Sequence, residues 1–297
     1  MDLDPAFLLP QVVAGIARGM LLFLVAAGLS LIFGVMNVLN FAHATFWLLG
    51  GYIAWTVIDL IGPTAGASPW AVVPAALVAG GALFVVGAFV ERTLVSRMHA
   101  RPVPEQLLLT FALVLIVGDL IKMIWGVSDR SVFLGLAPLE IGSLFVNAWY
   151  LVVAGVGLGT LAGLQLFLRK TRFGRIVRAA VHDREMVSAL GIRIATVYTV
   201  VFGVGVALAG VAGAIALPLT PLALGADIDF IVQCFAVVVI GGFGSIAGTF
   251  VGAMLVGVTY SVAILAWPDG AVATVFLIVI AVLVVRPWGL FGSELRT

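Results

Sequence analysis

The sequence predicts an all-α, polytopic membrane protein, on three observations. First, 63% of its 297 residues are hydrophobic and only 10% are charged, with a mean hydropathy of +1.26. A soluble domain carries roughly 25% charged residues, so a surface this apolar has to be solvated by lipid. Second, the apolar residues come in long runs rich in Gly and Ala rather than in alternation. That selects packed helices over an outer-membrane barrel, whose strands of about ten residues alternate apolar and polar. Third, the charge is gathered into islands. Between Arg169 and Arg193 lie seven of the fifteen basic residues, with Asp183 and Glu185 among them.

The first segment, about 11–36, carries Arg18 and ends at Asn37-Val38-Leu39-Asn40; a second run covers 41–61. The preceding MDLDPAFLLPQ has no basic n-region, so a cleaved signal peptide is not expected and the first segment should remain as a span. Gly62-Pro63 and Ser68-Pro69 bracket a loop, and a third segment, 70–90, runs into the basic stretch 91–104. The fourth segment is 106–125, and a polar loop with Asp129, Arg130, Pro138 and Glu140 separates it from the fifth, 146–168. After the charged island a sixth segment, 195–217, is closed by PLTP at 218–221.

The next run, 230–240, is only about 16 Å long as a helix, short of the roughly 20 residues of an ideal span. With the GGFGSIAG that follows at 241–248, it reads as a broken or half-depth helix. Membrane depth tolerates such irregular backbone where it is buried in protein or lines a cavity. Segments 249–266 and 271–285, joined by Trp267-Pro268-Asp269-Gly270, complete eight spans plus one short segment. The joints at 37–43 and 241–248 are each followed by an apolar run with spaced glycines, a hint of an internal repeat.

Basic residues set the expected orientation. Arg92, Arg97 and Arg101, the seven of the island, and Arg286 and Arg296 fall on one side, with Lys122 and Arg130 opposite. Asp2, Asp4, Asp59, Asp129, Glu140, Asp227, Asp229 and Asp269 gather on that opposite face. The expectation is an N-terminus outside, with the island and the C-terminus in the cytoplasm.

The stretch 174–191 has a helical, amphipathic pattern, with Ile176, Val177, Ala180, Val181, Val187 and Leu190 on one broad face and Arg175, Arg178, His182, Asp183 and Glu185 polar. Gly191 suits the left-handed position past a helix end. Three readings compete for the apolar stripe. It lies flat on the bilayer, packs on the chain's own helix ends, or docks into a soluble partner's groove.

At this point the sequence resembles the permease subunits of branched-chain amino-acid ABC importers, specifically the first of their two related permeases. The resemblance is carried by GLSLIFGVMNVLNFAHATFWLLGGYIA at 28–54, VERTLVSRMHARP at 90–102, GRIVRAAVHDREMVSALGIRIATV at 174–197, VVIGGFGSIAGTFVGAMLVG at 238–257 and RPWGLFG at 286–292, in order along nearly the whole chain. It implies a single transmembrane permease domain over 1–297 with a cytoplasmic coupling loop at about 169–194. In that family the loop docks on an ATP-binding subunit; the residues carried over are Arg178, Ala179, Asp183, Ala189, Leu190, Gly191 and Ile192, with Glu185 beside them. A short rigid helix can transmit such a rigid-body movement. The implied partners are a homologous permease, two cytoplasmic ATP-binding subunits, an extracytoplasmic solute-binding protein and the lipid bilayer, in the bacterial inner membrane. The chain has no GxxxxGK[ST] phosphate loop, so no cofactor of its own is expected, and ATP and Mg²⁺ belong to the partners.

Asn37, Asn40 and His43 fall within seven residues at the first break. Polar groups at membrane depth are costly and face a bundle interior or a cavity, so they are candidates to line a translocation path. The competing structural reading has Asn40 capping a helix that starts at Phe41 and His43 bonding a neighbouring helix. Gly241, Gly242, Gly244 and Gly248 allow either freed backbone at a substrate path or tight helix packing; Gln233 and Cys234 are further lining candidates. Asp119 and Lys122, three apart, read as a local pair. No other buried acid is evident, which argues against a proton-coupled carrier. Arg18 is read either in a cavity or snorkelling outward.

Cys234 is the single cysteine, excluding an intrachain disulfide and a CxxC site. His43, His99 and His182 lack metal-ligand spacing, no nucleophile–base pair stands out, and no nucleic-acid partner is expected. The function expected is therefore an ATP-driven importer subunit rather than an enzyme. The substrate would be a branched-chain or related amino acid, or a similar small polar or carboxylate solute. The alternative is an ATP-independent channel or secondary carrier.

Overall fold

The computed structural model describes residues 5–99, 101–141 and 144–292; Asp2, Asp4 and Arg296 lie outside them. In chain order the helices are α1 (Pro5–Met36), α2 (His43–Ile61), α3 (Val72–Thr93), α4 (Val103–Trp125), α5 (Trp149–Lys170), α6 (Arg172–His182), α7 (Arg184–Ala189), α8 (Ile194–Ala216), α9 (Ala226–Gly241), α10 (Ile246–Ala266) and α11 (Ala271–Val285). Eight helical stretches are long and apolar enough to cross a membrane, and α9, at 16 residues, is the short one. It begins earlier than its apolar run, because Asp227 and Asp229 supply acid to its first turn, where the helix dipole favours it. The polar loop before α5 folds into a hairpin of β1 (Leu139–Ile141) and β2 (Leu144–Val146), with Leu139 opposite Val146.

α1 is the axis of the bundle, packed on α10, α8, α5 and α9, while α3 lies along α8. Lipid gives helices no hydrophobic reason to associate, so close packing of small residues has to hold them together. A Cβ on Gly257 of α10 would overlap the backbone of Gly15 and Gly19 of α1. Large apolar side chains fill the interior, where Phe23, Phe46, Phe202 and Tyr52 are fully buried, and also cover the rim. Leu108, Leu115 and Met123 of α4 and Leu277, Ile280 and Val284 of α11 are exposed, as lipid-facing residues should be.

The chain beyond α11 turns back onto the bundle. Leu290 N–H donates to the Ile240 carbonyl at 2.8 Å and Phe291 N–H to that of Gly241 at 3.1 Å. Carbonyls at the end of a helix have no partner within it, so the tail supplies what α9 lacks.

The charged island departs from the single helix expected over 174–191. Asp183 is extended, at φ −154° and ψ 95°, and divides α6 from α7. Its carboxylate Oδ1 accepts from Met186 N–H at 2.9 Å, an N-cap that starts the second helix. The apolar stripe is therefore interrupted after His182, and on α6 itself it is narrower than expected. Val177, Ala180 and Val187 are buried, whereas Val181 and Leu190, expected on the same face, are exposed. Gly191 does adopt the left-handed conformation, at φ +81°.

Candidate functional site

The first joint is an extended return of the chain into the bundle. Asn37, at φ +54° the one left-handed non-glycine among the described residues, ends α1 and is exposed. Residues 38–42 then climb back to α2. His43, the first residue of α2, places Nε2 3.0 Å from the Val25 carbonyl, and Val25 is eleven residues before Met36, the end of α1. By the helical rise that is about 16 Å inside the bundle. α2 therefore starts at mid-depth. Because a carbonyl only accepts, His43 Nε2 carries the proton, and its buried Nδ1 is left without a partner.

Asn40 does not cap a helix at Phe41. α2 begins two residues later behind Ala42, and Asn40 contributes only its backbone carbonyl, to His43 N–H at 3.3 Å. Its side chain is fully buried with neither amide atom hydrogen-bonded. Such a group costs about 1–3 kcal/mol in a protein interior.

A second helix start lies beside the first. After Gly225, left-handed at φ +90°, α9 opens at Ala226 with Asp227 in its first turn. The Thr45 hydroxyl donates to Asp227 Oδ2 at 2.5 Å, and Asp227 is only 5% exposed. Trp47 stacks on Phe230 with ring centroids 4.4 Å apart, and Phe41 meets Phe235 at 5.1 Å. This corrects two expectations: Asp227 does not stand on an outer polar face, and Asp119, which pairs with Lys122 at 2.9 Å, is not alone as an intramembrane acid.

Gln233 is buried on α9, where its Oε1 accepts from Arg18 at 2.8 Å. The guanidinium lies over the Tyr260 ring at 3.9 Å, so Arg18 is held inside the bundle rather than snorkelling. Cys234 beside it is fully buried. Gly241 and Gly248 face each other so closely that a Cβ on either would overlap the other's backbone. Gly242 and Gly244 have φ of +93° and +78°, and a Cβ on Gly34 would come within 2.7 Å of Gly244 Cα. The two glycine-flanked joints thus abut one another at the end of the bundle that carries the island.

At that same end, Arg178, Ala179, Asp183, Glu185, Ala189, Leu190 and Gly191 are all exposed. Met186 and Leu190, at 59% and 72% exposure, stand among these charges, while Val177, Ala180 and Val187 anchor the element from beneath. Its far side is therefore an apolar patch ringed by charge.

Next to it the sequence reading missed a second buried acid, Glu91 at the foot of α3. Thr199 Oγ1 donates to Glu91 Oε2 at 2.6 Å, and His99 Nε2 approaches Oε1 at 3.8 Å. Burial, with the positive Arg184 nearby, holds the His99 imidazole below its ordinary value. It is thus neutral near pH 7, and folding is favoured most where the unfolded imidazole is neutral too. Stability at this corner is expected to be complete above about pH 6.5 and to be lost as pH falls through the lower folded value. Thermal midpoints of the wild type and His99→Gln, compared from neutral to acid pH, should diverge with the wild type falling faster.

Eight long apolar helices, two helix starts at mid-depth and an exposed amphipathic element define the class: a polytopic α-helical membrane protein. The family model described as the permease component of the branched-chain amino acid transport system matches residues 11–285. The chain belongs to that family, as a transport subunit rather than an enzyme. It is 28% identical to the high-affinity branched-chain amino acid transport system permease protein LivH of Escherichia coli K12, over 96% of each chain. It is 27% identical to BraD of Pseudomonas aeruginosa over 96% of this chain and 95% of that one. The probable LivH of Methanocaldococcus jannaschii is 28% identical, over 92% and 89% respectively. Among solved structures, PsaBC from Streptococcus pneumoniae in complex with Fab aligns over 94% of this chain and 88% of that one, at 12% identity and a TM-score of 0.43, too distant to inform the site.

Proposed function

We propose that this chain is the inner-membrane permease of an ABC importer for branched-chain or related amino acids, with its N-terminus outside and the α6–α7 element in the cytoplasm. The observation that carries the reading is the family match over 11–285; the exposed apolar patch on α6–α7 agrees with it. A homologous permease would complete the pathway, two ATP-binding subunits would supply ATP and Mg²⁺ chemistry, and an external binding protein would deliver the solute. Closure of the ATP-binding subunits pushes α6–α7, and the bundle opens outward; hydrolysis resets it. Asn37, Asn40, His43, Gln233, Gly241, Gly242 and Gly244 are the pathway residues in this reading, with Asn40 and His43 contributing polar groups that lack partners in the closed form.

The test is co-purification. The chain is expressed with its neighbouring genes, purified through its own tag, and compared with Asp183→Ala plus Leu190→Asp. The first change removes the cap of α7 and the second sets a charge in the docking patch. Together they should cost about 2 kcal/mol or more, roughly thirtyfold in ATPase affinity, while membrane insertion is unchanged. Solute transport by the chain alone, with no ATPase ever retained, would favour an ATP-independent carrier instead.

A further inference from the structure

Asp227 is an acid with too few partners for its position. An ionised carboxylate accepts at about four lone-pair sites, and Asp227 receives one side-chain donor, Thr45 Oγ1. Among the described residues no Lys, Arg or His comes within 4.0 Å of it. Arg18, which reaches α9 from α1, is engaged by Gln233 and Tyr260. The other acids of the spans are placed differently: Asp119 is exposed and paired with Lys122, and Glu91 sits at the foot of α3 with Thr199 on one oxygen and no hydrogen bond to the other. What steadies Asp227 is the meeting of two helix starts, its own in α9 and that of α2 through Thr45, each with a partial positive charge. An ionisable group inside a membrane protein is costly and marks a pathway by default.

We propose that the Asp227 carboxylate, at the meeting of the α2 and α9 starts, receives the α-ammonium of the amino acid in transit. This rests on the amino-acid reading of the function given above. A free amino acid leaving water carries a fixed positive charge that must be met at mid-depth, and an ammonium brings three N–H donors to an acceptor that now holds one. The described form is shut, since Asp227 and Thr45 are both buried. Parting the starts of α2 and α9 breaks the Thr45 hydroxyl bond, separates the Trp47–Phe230 stack and opens the carboxylate to the path; the ammonium then takes the place of the Thr45 hydroxyl. Threonine thus acts as a latch that is released without leaving a charge behind.

The experiment uses the full importer in liposomes, with its binding protein outside and ATP inside, and reads labelled leucine uptake together with ATP hydrolysis. Asp227→Asn keeps the shape and the Thr45 contact but removes the charge. It should lower uptake by about tenfold to a hundredfold while hydrolysis stays within about twofold of wild type. Asp227→Glu should recover part of the uptake, and Thr45→Val, which keeps the carboxylate, should lose no more than about threefold. Wild-type uptake by Asp227→Asn overturns the assignment. So does a parallel fall of uptake, hydrolysis and thermal midpoint in Asp227→Asn that Asp227→Glu does not relieve, since that marks a purely structural pair. A wild-type importer that hydrolyses ATP and moves another solute but no amino acid overturns the functional reading, and this assignment with it.

Discussion

Valine at position 248 is expected to destabilise the protein by about 3 kcal/mol or more, at the upper end of the range for overpacking. The neighbours of Gly248 are what set the size. A Cβ there would overlap the carbonyl of Gly241 and come within 3.0 Å of Phe291 Cβ. Backbone cannot rotate aside as a flexible side chain can, so α9 and α10 must separate. That separation would also pull the 286–292 tail from the Ile240 and Gly241 carbonyls. Gly81 is the matched control: it lies on the exposed side of α3 with nothing within 4 Å of its added carbon. Gly81→Ala should leave stability unchanged or raise it by about 0.5–1 kcal/mol through helix propensity. Thermal unfolding of the detergent-purified variants, followed by the loss of the monodisperse peak, separates the two outcomes.

Asn40→Leu is expected to do the reverse for stability and to lower transport by about tenfold or more. Asn40 is fully buried with neither amide atom paired. An apolar side chain of similar size removes that burden, and the closed form should gain about 1–3 kcal/mol. If the amide is retained because it meets solute or water when the joint opens, uptake should fall by about tenfold or more as the protein hardens. A variant that is more stable and transports normally would make Asn40 an unused defect. One that is less stable would mean the amide has a partner in the resting form after all.

Much of this architecture is legible in the sequence because lipid imposes a simple code. Eight apolar segments, one short run and the break at Asn37 all follow from length and hydropathy. Three features did not follow, each for a physical reason. The topology set by the basic residues puts Asp227 on an outer face; its burial depends on Thr45, which is 182 positions away in sequence. Glu91 looked like part of a basic loop, yet Thr199 and His99 draw it under α8. The break at Asp183 turns on a capping choice, since the same residue that looks polar within one amphipathic helix can begin another. Periodicity finds the helices; which polar side chain meets which is settled only by long-range packing.

The tail's grip on α9 also dictates an order of manufacture. The carbonyls of Ile240 and Gly241 are completed by N–H groups about fifty residues later, at Leu290 and Phe291. While the ribosome is still adding α10 and α11, the exit end of α9 remains an open splice. The helix is thus closed only once Leu290 and Phe291 have emerged, and a nascent protein stalled before Leu290 would be left with its glycine joint unsealed.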